Sequence, residues 1–210
     1  MTKNQIDHLM YAVRNLDEGI EHFHKLTGVK AVYGGAHENM GTCNALLSLG
    51  HHQYIELIAP DPKQPAADNL GRTLKEADRD GLRSWAIATT SLPDLASKLS
   101  EFTPGNVIDM TRVTTEGERL QWQLMFLQGG PNLPFFIDWQ HSPHPSLSTP
   151  PGCSLIDVTV SSDTPDSMNA LKTVLGLDFS VVVGENSLTA RIKTPNGDLT
   201  LAPWQAKSKE

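Results

Sequence analysis

The sequence lacks several features that would place it in a specialised class of protein. It has two cysteines among 210 residues, which is too few for a disulfide framework. No apolar run approaches the roughly 20 residues that are needed to cross a bilayer. The N-terminal segment also lacks the long apolar run of a signal peptide. Because free thiols are typical of reducing compartments, we expect a cytoplasmic protein without a membrane partner.

Positive charge is also scarce. The chain has 17 Lys and Arg against 24 Asp and Glu, and its formal net charge is −7. An acidic protein of this kind has no electrostatic footprint for nucleic acid or for an anionic membrane surface. Hydrophobic residues at 39% and charged residues at 20% are ordinary values for a globular protein. We therefore expect a small-molecule ligand rather than nucleic acid as the partner.

The pattern of strands and helices repeats about every 75 residues, which is the kind of self-similarity that decides a fold. Each unit begins with an apolar strand, near Ile6, Leu82 and Leu155. A capped helix of moderate length and three shorter strand candidates follow in each case. In the first unit the helix begins with a capping box formed by Asn15 and Glu18. The predicted fold class is α+β, with three module-like βαβββ repeats that form curved mixed sheets; a chance match within one α+β domain is the alternative.

Proline-rich and helical stretches separate the three units. The segment 63–81 has the apolar spacing of a connecting helix, and Pro150, Pro151 and Gly152 forbid regular structure before the third unit. The predicted organisation is module 1 over 1–62, a connecting helix over 63–81, module 2 over 82–141, a linker over 142–152, module 3 over 153–204 and a tail over 205–210.

Two polar residues interrupt apolar strands of the first unit. Alternate residues of a strand face alternate sides, so His8 shares a face with Met10, and Glu56 shares one with Tyr54. If the first and fourth strands are neighbours, His8 and Glu56 meet on the concave side of the sheet. A carboxylate on an apolar strand needs a partner or a solvated cleft, because an unpaired buried charge is costly. An imidazole and a carboxylate supply half of a metal site or an acid–base pair.

Comparison of the units isolates further candidates. Alignment of the fourth strands predicts that Asp138 corresponds to Glu56, and alignment of the helix caps predicts that Ser84 corresponds to His8. The second unit therefore keeps the acid and loses the histidine. In the third unit no such pair survives. We expect function to concentrate in the first two units.

Other histidines and aromatic residues could approach the same place. His37 precedes a loop that could fold over the concave face, and we expect it to contact a substrate. His141 and His144 follow Asp138 closely and could bend back to the site. Trp85, Trp122 and Trp139 could line a pocket, and we expect Trp122 and Trp139 to contact substrate, although aromatic residues on strands more often belong to the core.

Several of these segments resemble glyoxalase-like domain proteins of the vicinal oxygen chelate superfamily, which also includes bleomycin resistance proteins and dihydroxybiphenyl dioxygenases. The segments are 7–13, 41–47, 54–60, 134–139 and 144–145. The resemblance implies paired βαβββ modules, each a curved sheet, with a cup-shaped site between two modules.

The resemblance also implies a set of site residues. The first and fourth strands of each module would supply ligands to a divalent metal ion, and the matching positions are His8, Glu56 and Asp138. The second histidine of a four-ligand site is missing. Three protein ligands would then be completed by water, His37 or His141, or the pocket would hold no metal.

Our first hypothesis is an enzyme of glyoxalase, isomerase or dioxygenase type that acts on a small carbonyl or vicinal-oxygen metabolite. A divalent metal would act as Lewis acid. Glu56 and Asp138 would be the catalytic carboxylates, and Thr42 and Asn44 would orient the substrate through hydrogen bonds.

Two other hypotheses remain open. The chain could be a metal-independent binding protein of the sequestration or resistance type, with Trp122 and Trp139 around the ligand and with Glu56 and Asp138 as hydrogen-bond acceptors. Alternatively, the third module could pair with another chain, as in a homodimer.

Overall fold

The structure is a computed structural model that describes residues 4–37, 40–64, 68–113, 117–130 and 132–207. Parts of the predicted connecting helix (65–67) and of the predicted tail (208–210) lie outside these ranges. So does the start of the loop after His37.

The first unit has the predicted order of elements. These are β1 (Gln5–Ala12), α1 (Leu16–Thr27), β2 (Val32–His37), β3 (Thr42–Gly50) and β4 (Gln53–Pro60). The Asn15 side chain accepts a hydrogen bond from the backbone N–H of Glu18 and begins α1. Gly28 ends α1 with a φ of 76°, a left-handed conformation that glycine adopts without strain.

The second unit follows a short connection. The predicted helix over 63–81 is limited to α2 (Leu70–Lys75), and β5 (Ala77–Arg79) follows it. The unit itself consists of β6 (Gly81–Ala88), α3 (Leu92–Lys98), β7 (Ile108–Val113), β8 (Arg119–Phe126) and β9 (Phe135–Asp138). Helix α3 begins at the Ser91 cap with Pro93 in its first turn.

The first two units share one eight-stranded sheet with the order β2-β3-β4-β1-β6-β9-β8-β7. Within each unit the first strand is parallel to the fourth, and the two first strands β1 and β6 pair antiparallel at the centre. The edge strands β2 and β7 contact each other, so the sheet curves into a nearly closed cup. The predicted α+β class with βαβββ modules and a curved mixed sheet is confirmed.

The third unit has the same order of elements but a different arrangement of strands. It contains β10 (Ser154–Ser162), α4 (Pro165–Leu175), β11 (Ser180–Val183), β12 (Ser187–Thr194) and β13 (Gly197–Leu201), and β14 (Gln205–Ala206) then pairs with β5. Its sheet order is β11-β10-β12-β13, so its first strand lies between its own second and third strands. The third repeat is therefore not confirmed, because order along the chain does not fix which strands pair.

The sheet separates two apolar layers. On its convex face, Phe23 of α1, Trp85 and Phe136 pack with residues of the third unit such as Val160 and Leu171. The concave face carries a second cluster, which includes Met10, Trp122, Phe135 and Ile137. No helix within the described ranges is long and apolar enough to cross a membrane.

Two irregularities interrupt the central β1–β6 pair. One register shift leaves Asp7 of β1 without a partner on β6, and the other leaves Arg83 of β6 without a partner on β1. An extra residue of this kind bends a strand and redirects its side chain. The two bulges therefore set the positions of two charged residues that strict alternation would misplace.

Candidate functional site

The concave face encloses a cavity of about 460 Å³. Most of its wall is apolar and aromatic, and Met10, Trp122, Phe135, Trp139 and Trp204 contribute to it. Trp122 and Trp139 lie with ring centroids 5.6 Å apart. This volume and this lining are typical of a small-molecule site.

His8 lies in the floor of the cavity and is 3% exposed. Its Nδ1 lies 2.7 Å from Oδ1 of Asp7. Because a carboxylate only accepts hydrogen bonds, Nδ1 carries the proton and Nε2 is directed towards Oε2 of Glu56 at 3.8 Å. Tyr54 stacks on the His8 ring at 4.6 Å and holds the plane of the imidazole. These contacts fix the orientation of His8, with a proton on Nδ1 and with Nε2 facing Glu56.

Asp7 is fully buried and holds the His8 ring through its hydrogen bond with Nδ1. Its second oxygen, Oδ2, accepts hydrogen bonds from Nε1 of Trp139 at 3.0 Å and from Nε2 of His144 at 3.1 Å. Burial opposes the ionisation of Asp7, but the hydrogen bonds from His144 and His8 outweigh it and lower the pKa to about 2. Asp7 is thus a permanent carboxylate that orients the imidazole.

Glu56 is 7% exposed and is held by Asn44 of the neighbouring strand. Nδ2 of Asn44 donates to Oε1 of Glu56 at 2.7 Å and lies 3.2 Å from Nε2 of His37. Oδ1 of Asn44 accepts from Nη1 of Arg112 at 3.3 Å. Because a carboxylate only accepts and a guanidinium only donates, these partners fix the orientation of the amide.

His37 completes this network. Burial lowers its pKa below the usual value; Glu56 opposes that effect, and the positive charge of Arg112 adds to it. Its Nδ1 lies 2.9 Å from Oγ1 of Thr42. A neutral His37 accepts from Asn44 at Nε2 and donates to Thr42 from Nδ1.

Arg112 closes the cup across its open edge. It lies on β7, yet its Nη1 donates to the carbonyl oxygen of Gly34 on β2, the opposite edge strand of the sheet. A Cβ atom on Gly34 would lie 2.4 Å from Oδ1 of Asn44 and 2.6 Å from Nη1 of Arg112. The glycine therefore makes room for the network beside Glu56.

The structure gathers most of the predicted site residues in one place. Those that line the cavity are His8, His37, Thr42, Asn44, Glu56, Trp122 and Trp139. Asp138 is not among them, and its Oδ1 instead accepts from the backbone N–H of Gln140 at 2.8 Å. On β9 the cavity side is occupied by Phe135 and Ile137, so the alternation of the strand turns Asp138 away.

The correspondence between the units also needs correction. In the first unit His8 pairs with Tyr54, and in the second unit Ala86 pairs with Phe135. The counterpart of His8 is therefore Ala86 rather than Ser84. By the same register the counterpart of Glu56 is Ile137, one residue before Asp138.

Several residues of the site were not predicted. Asp7 and Arg83 occupy bulges, which the alternation of residues along a strand does not reveal. The carboxylate of Asp7, next to His8 in the sequence, is nevertheless a signal from which a partner for the imidazole could be predicted. Arg112 comes from β7, whose approach to β2 depends on the curvature of the whole sheet. Of the later histidines, His144 returns to Asp7, whereas His141 is exposed and outside the cavity lining.

The donor set does not fit the divalent metal that the resemblance implies. Within the described ranges, no group of three His, Cys, Asp or Glu side chains is arranged to hold an ion. Nε2 of His37 and Oε1 of Glu56 are both engaged by the Asn44 amide, and Asp138 lies elsewhere. The guanidinium of Arg112 already supplies positive charge beside this network.

An eight-stranded cup built from two βαβββ units around a largely apolar pocket defines a protein of the vicinal oxygen chelate superfamily. The sequence matches the family described as "Glyoxalase-like domain" over residues 6–175. The chain belongs to this glyoxalase-like domain family. Among curated proteins the sequence has no match.

Solved structures share the fold at low sequence identity. A hypothetical protein from Staphylococcus aureus is 21% identical with a TM-score of 0.63, and the alignment covers 95% of this chain and 84% of that one. A variant of methylmalonyl-CoA epimerase from Streptomyces coelicolor, in complex with 2-nitronate-propionyl-CoA, is 20% identical with a TM-score of 0.48, covering 69% and 100%. The Mycobacterium tuberculosis methylmalonyl-CoA epimerase is 21% identical with a TM-score of 0.47, covering 68% and 90%.

Proposed function

We propose that the chain binds a small carbonyl compound in the cup and transfers a proton at the carbon beside the carbonyl group. The observation that carries this proposal is the separation of 3.8 Å between Nε2 of His8 and Oε2 of Glu56. The two groups are too far apart for a direct hydrogen bond but close enough to reach one bound functional group. Both line the cavity, so a ligand has access to them.

The proposed step uses these two groups as base and acid. The Glu56 carboxylate takes the proton from the carbon beside the carbonyl, and the electron pair of that C–H bond forms a carbon–carbon double bond. The carbonyl π electrons move to oxygen, which receives a proton from Nε2 of a protonated His8. The products are an enol, a neutral imidazole and a protonated Glu56, and reversal returns the proton to carbon.

The surrounding residues orient this pair. Asp7 holds the His8 ring and stabilises its positive charge, as the third group does in other carboxylate–histidine arrangements. Asn44 occupies Oε1 of Glu56 and leaves Oε2 on the side of His8. Arg112 balances the negative charge of the carboxylate through Asn44. The proposed step uses no divalent metal, although the sequence predicts one, because the donor set of the cup does not fit an ion.

Solvent exchange tests this proposal without knowledge of the product. Small 2-oxo acids, hydroxyketones and 1,3-dicarbonyl compounds are incubated with the protein in D₂O, and loss of the proton beside the carbonyl is followed by NMR. We expect accelerated exchange for at least one class, and a loss of at least 100-fold in Glu56→Gln, in line with the usual contribution of a general base. Asp138→Asn is the matched control and should retain the wild-type rate.

The test has two clear negative outcomes. Exchange that persists in Glu56→Gln would reject Glu56 as the base. Absence of exchange for all classes, together with binding in the cup, would favour the second candidate function.

That second candidate is binding without chemistry, and the aromatic wall of the cavity favours it. Trp122, Trp139 and Phe135 offer π faces to an apolar or aromatic ligand, and Glu56 offers a hydrogen-bond acceptor. This function predicts thermal stabilisation by the ligand at concentrations above its Kd, with or without a chelator. If the protein only binds its ligand, Trp122→Ala should weaken binding, and Glu56→Gln should change only the polar contact with the ligand.

A further inference from the structure

Arg83 is a cavity-lining cation with an unusual environment. It occupies the bulge of β6, and its guanidinium carbon lies 5.3 Å from the centroid of the Trp204 ring. Its Nε is buried and has no hydrogen-bond partner. Among the described residues, no carboxylate lies within ion-pair distance of Arg83. Burial alone lowers its pKa.

Several exposed arginines of the chain, in contrast, are paired with carboxylates. Arg14 contacts Asp80, and Arg191 contacts Asp157. A cation that is removed from water without a counter-charge is destabilising, and buried polar atoms are usually satisfied. An arginine kept in this state at the wall of an open cavity indicates that its counter-charge comes from a ligand.

The position of Arg83 relative to Glu56 defines the ligand further. Glu56 pairs with Met10, and Met10 pairs with Ser84, the residue next to Arg83. Two strand spacings of about 4.8 Å place the Arg83 bulge about 10 Å from Glu56 across the sheet. Met10 lies between these two positions in the sheet, and together with Trp122 it belongs to the apolar lining of the cavity.

We propose that Arg83 binds an anionic oxygen group of the ligand, a carboxylate or a phosphate, while the carbonyl of the same ligand lies at Glu56. The ligand class is thus a small anionic carbonyl compound whose apolar body covers the floor of the cup. This inference rests on the proposed ligand site, but it concerns a different group of the ligand. A guanidinium suits both anions because its N–H groups bind two oxygens at once.

Matched probes separate the charge from the rest of the ligand. The probes are 3-phenylpropanoate, its neutral amide 3-phenylpropanamide, and phenyl phosphate, with Kd values measured by tryptophan fluorescence and calorimetry at fixed ionic strength. We expect at least one anionic probe to bind wild type at least tenfold more tightly than the amide. The stronger of 3-phenylpropanoate and phenyl phosphate identifies which anion the site prefers.

Variants of Arg83 assign this preference to the guanidinium. Arg83→Met should bind the anionic probe no better than the amide, and Arg83→Lys should retain part of the preference. Arg79→Met removes the same charge from a nearby exposed arginine and should behave as wild type. The melting temperature of ligand-free Arg83→Met should not fall, because the variant removes a partly buried cation that has no carboxylate partner among the described residues.

The outcomes distinguish the inference from the proposed function. Equal binding of amide and anions by wild type, or an unchanged preference in Arg83→Met, would overturn the anion site and leave the ligand cavity intact. Failure of all three probes to bind wild type would count against the cavity as a ligand site and against the anion site with it. A large loss of stability in Arg83→Met would assign the residue a structural role instead.

Discussion

Replacement of Asp7 by Asn tests the buried network beneath His8. The substitution keeps the shape of the side chain, so it leaves no cavity, but it removes the charge and exchanges one acceptor oxygen for an NH₂ group. Asp7 now accepts from His8 at 2.7 Å, from Trp139 at 3.0 Å and from His144 at 3.1 Å. An amide oxygen cannot serve all three donors in the same geometry, so either one buried donor loses its partner or His8 is forced into the other tautomer.

The magnitude follows from the pKa of Asp7. Its hydrogen bonds lower that pKa from 3.8 to about 2, and a shift of this size corresponds to about 2 kcal/mol of folding stability. The contribution is present above the unfolded-state pKa and is lost as the pH falls through the folded-state value. About half of it is lost by pH 3, and little remains at pH 2. We expect Asp7→Asn to lower the free energy of unfolding by about 2–4 kcal/mol at pH 7.

Urea unfolding of wild type and Asp7→Asn between pH 7 and pH 2.5 measures this difference. The difference should be constant above about pH 5 and should shrink towards acid pH, because the carboxyl group of wild type then becomes neutral in both states. Asp178→Asn is the control, since the Asp178 side chain is fully exposed and its removal should leave the profile unchanged. A difference that is small at pH 7, or that does not change with pH, would refute the assignment of Asp7 as a stabilising carboxylate.

Three other predictions concern Gly34 on the edge strand β2, Trp85 in the core and the thiol of Cys43. Gly34→Ala should slow proton exchange or weaken ligand binding at least tenfold, because the added Cβ would displace Asn44 and Arg112. The melting temperature should change little. A fall in stability as large as the fall in function would contradict this prediction. Trp85→Ala should lower the free energy of unfolding by about 3–5 kcal/mol in urea, since Trp85 is fully buried, and a loss below 1 kcal/mol would contradict the packing. Burial raises the pKa of Cys43 to about 11. This thiol should therefore react with a disulfide reagent at pH 8 far more slowly than free cysteine, until denaturant is added. Rapid labelling of the folded protein would contradict its burial.

The sequence predicts the elements of the fold better than their pairing. Capping residues such as Asn15 and Ser91 mark helix starts in both units, because their side chains satisfy local backbone N–H groups. Pairing depends on contacts that are distant in the chain, which is why the sequence predicts a third repeat although β10 pairs with β11 and β12. The domain boundaries, the cytoplasmic location and the homodimer stay predictions.

The site shows a similar division. His8 and Glu56 could be predicted, because a polar residue on an apolar strand is visible in a period of two. Asp138 was misassigned by one residue, and a shift of one residue turns a strand side chain to the opposite face. Asp7 and Arg83 depend on bulges that no local pattern indicates.

The central claim is that Glu56 and His8 transfer the proton with the help of their own hydrogen-bond network and without a bound metal ion. The most direct measurement is the D₂O exchange rate of a responsive carbonyl compound before and after exhaustive dialysis against a chelator, with metal content determined in parallel. We expect the wild-type rate to stay within about twofold, because the general acid–base groups of the protein supply the step. A rate that disappears with the metal and returns when a divalent ion is added would contradict it.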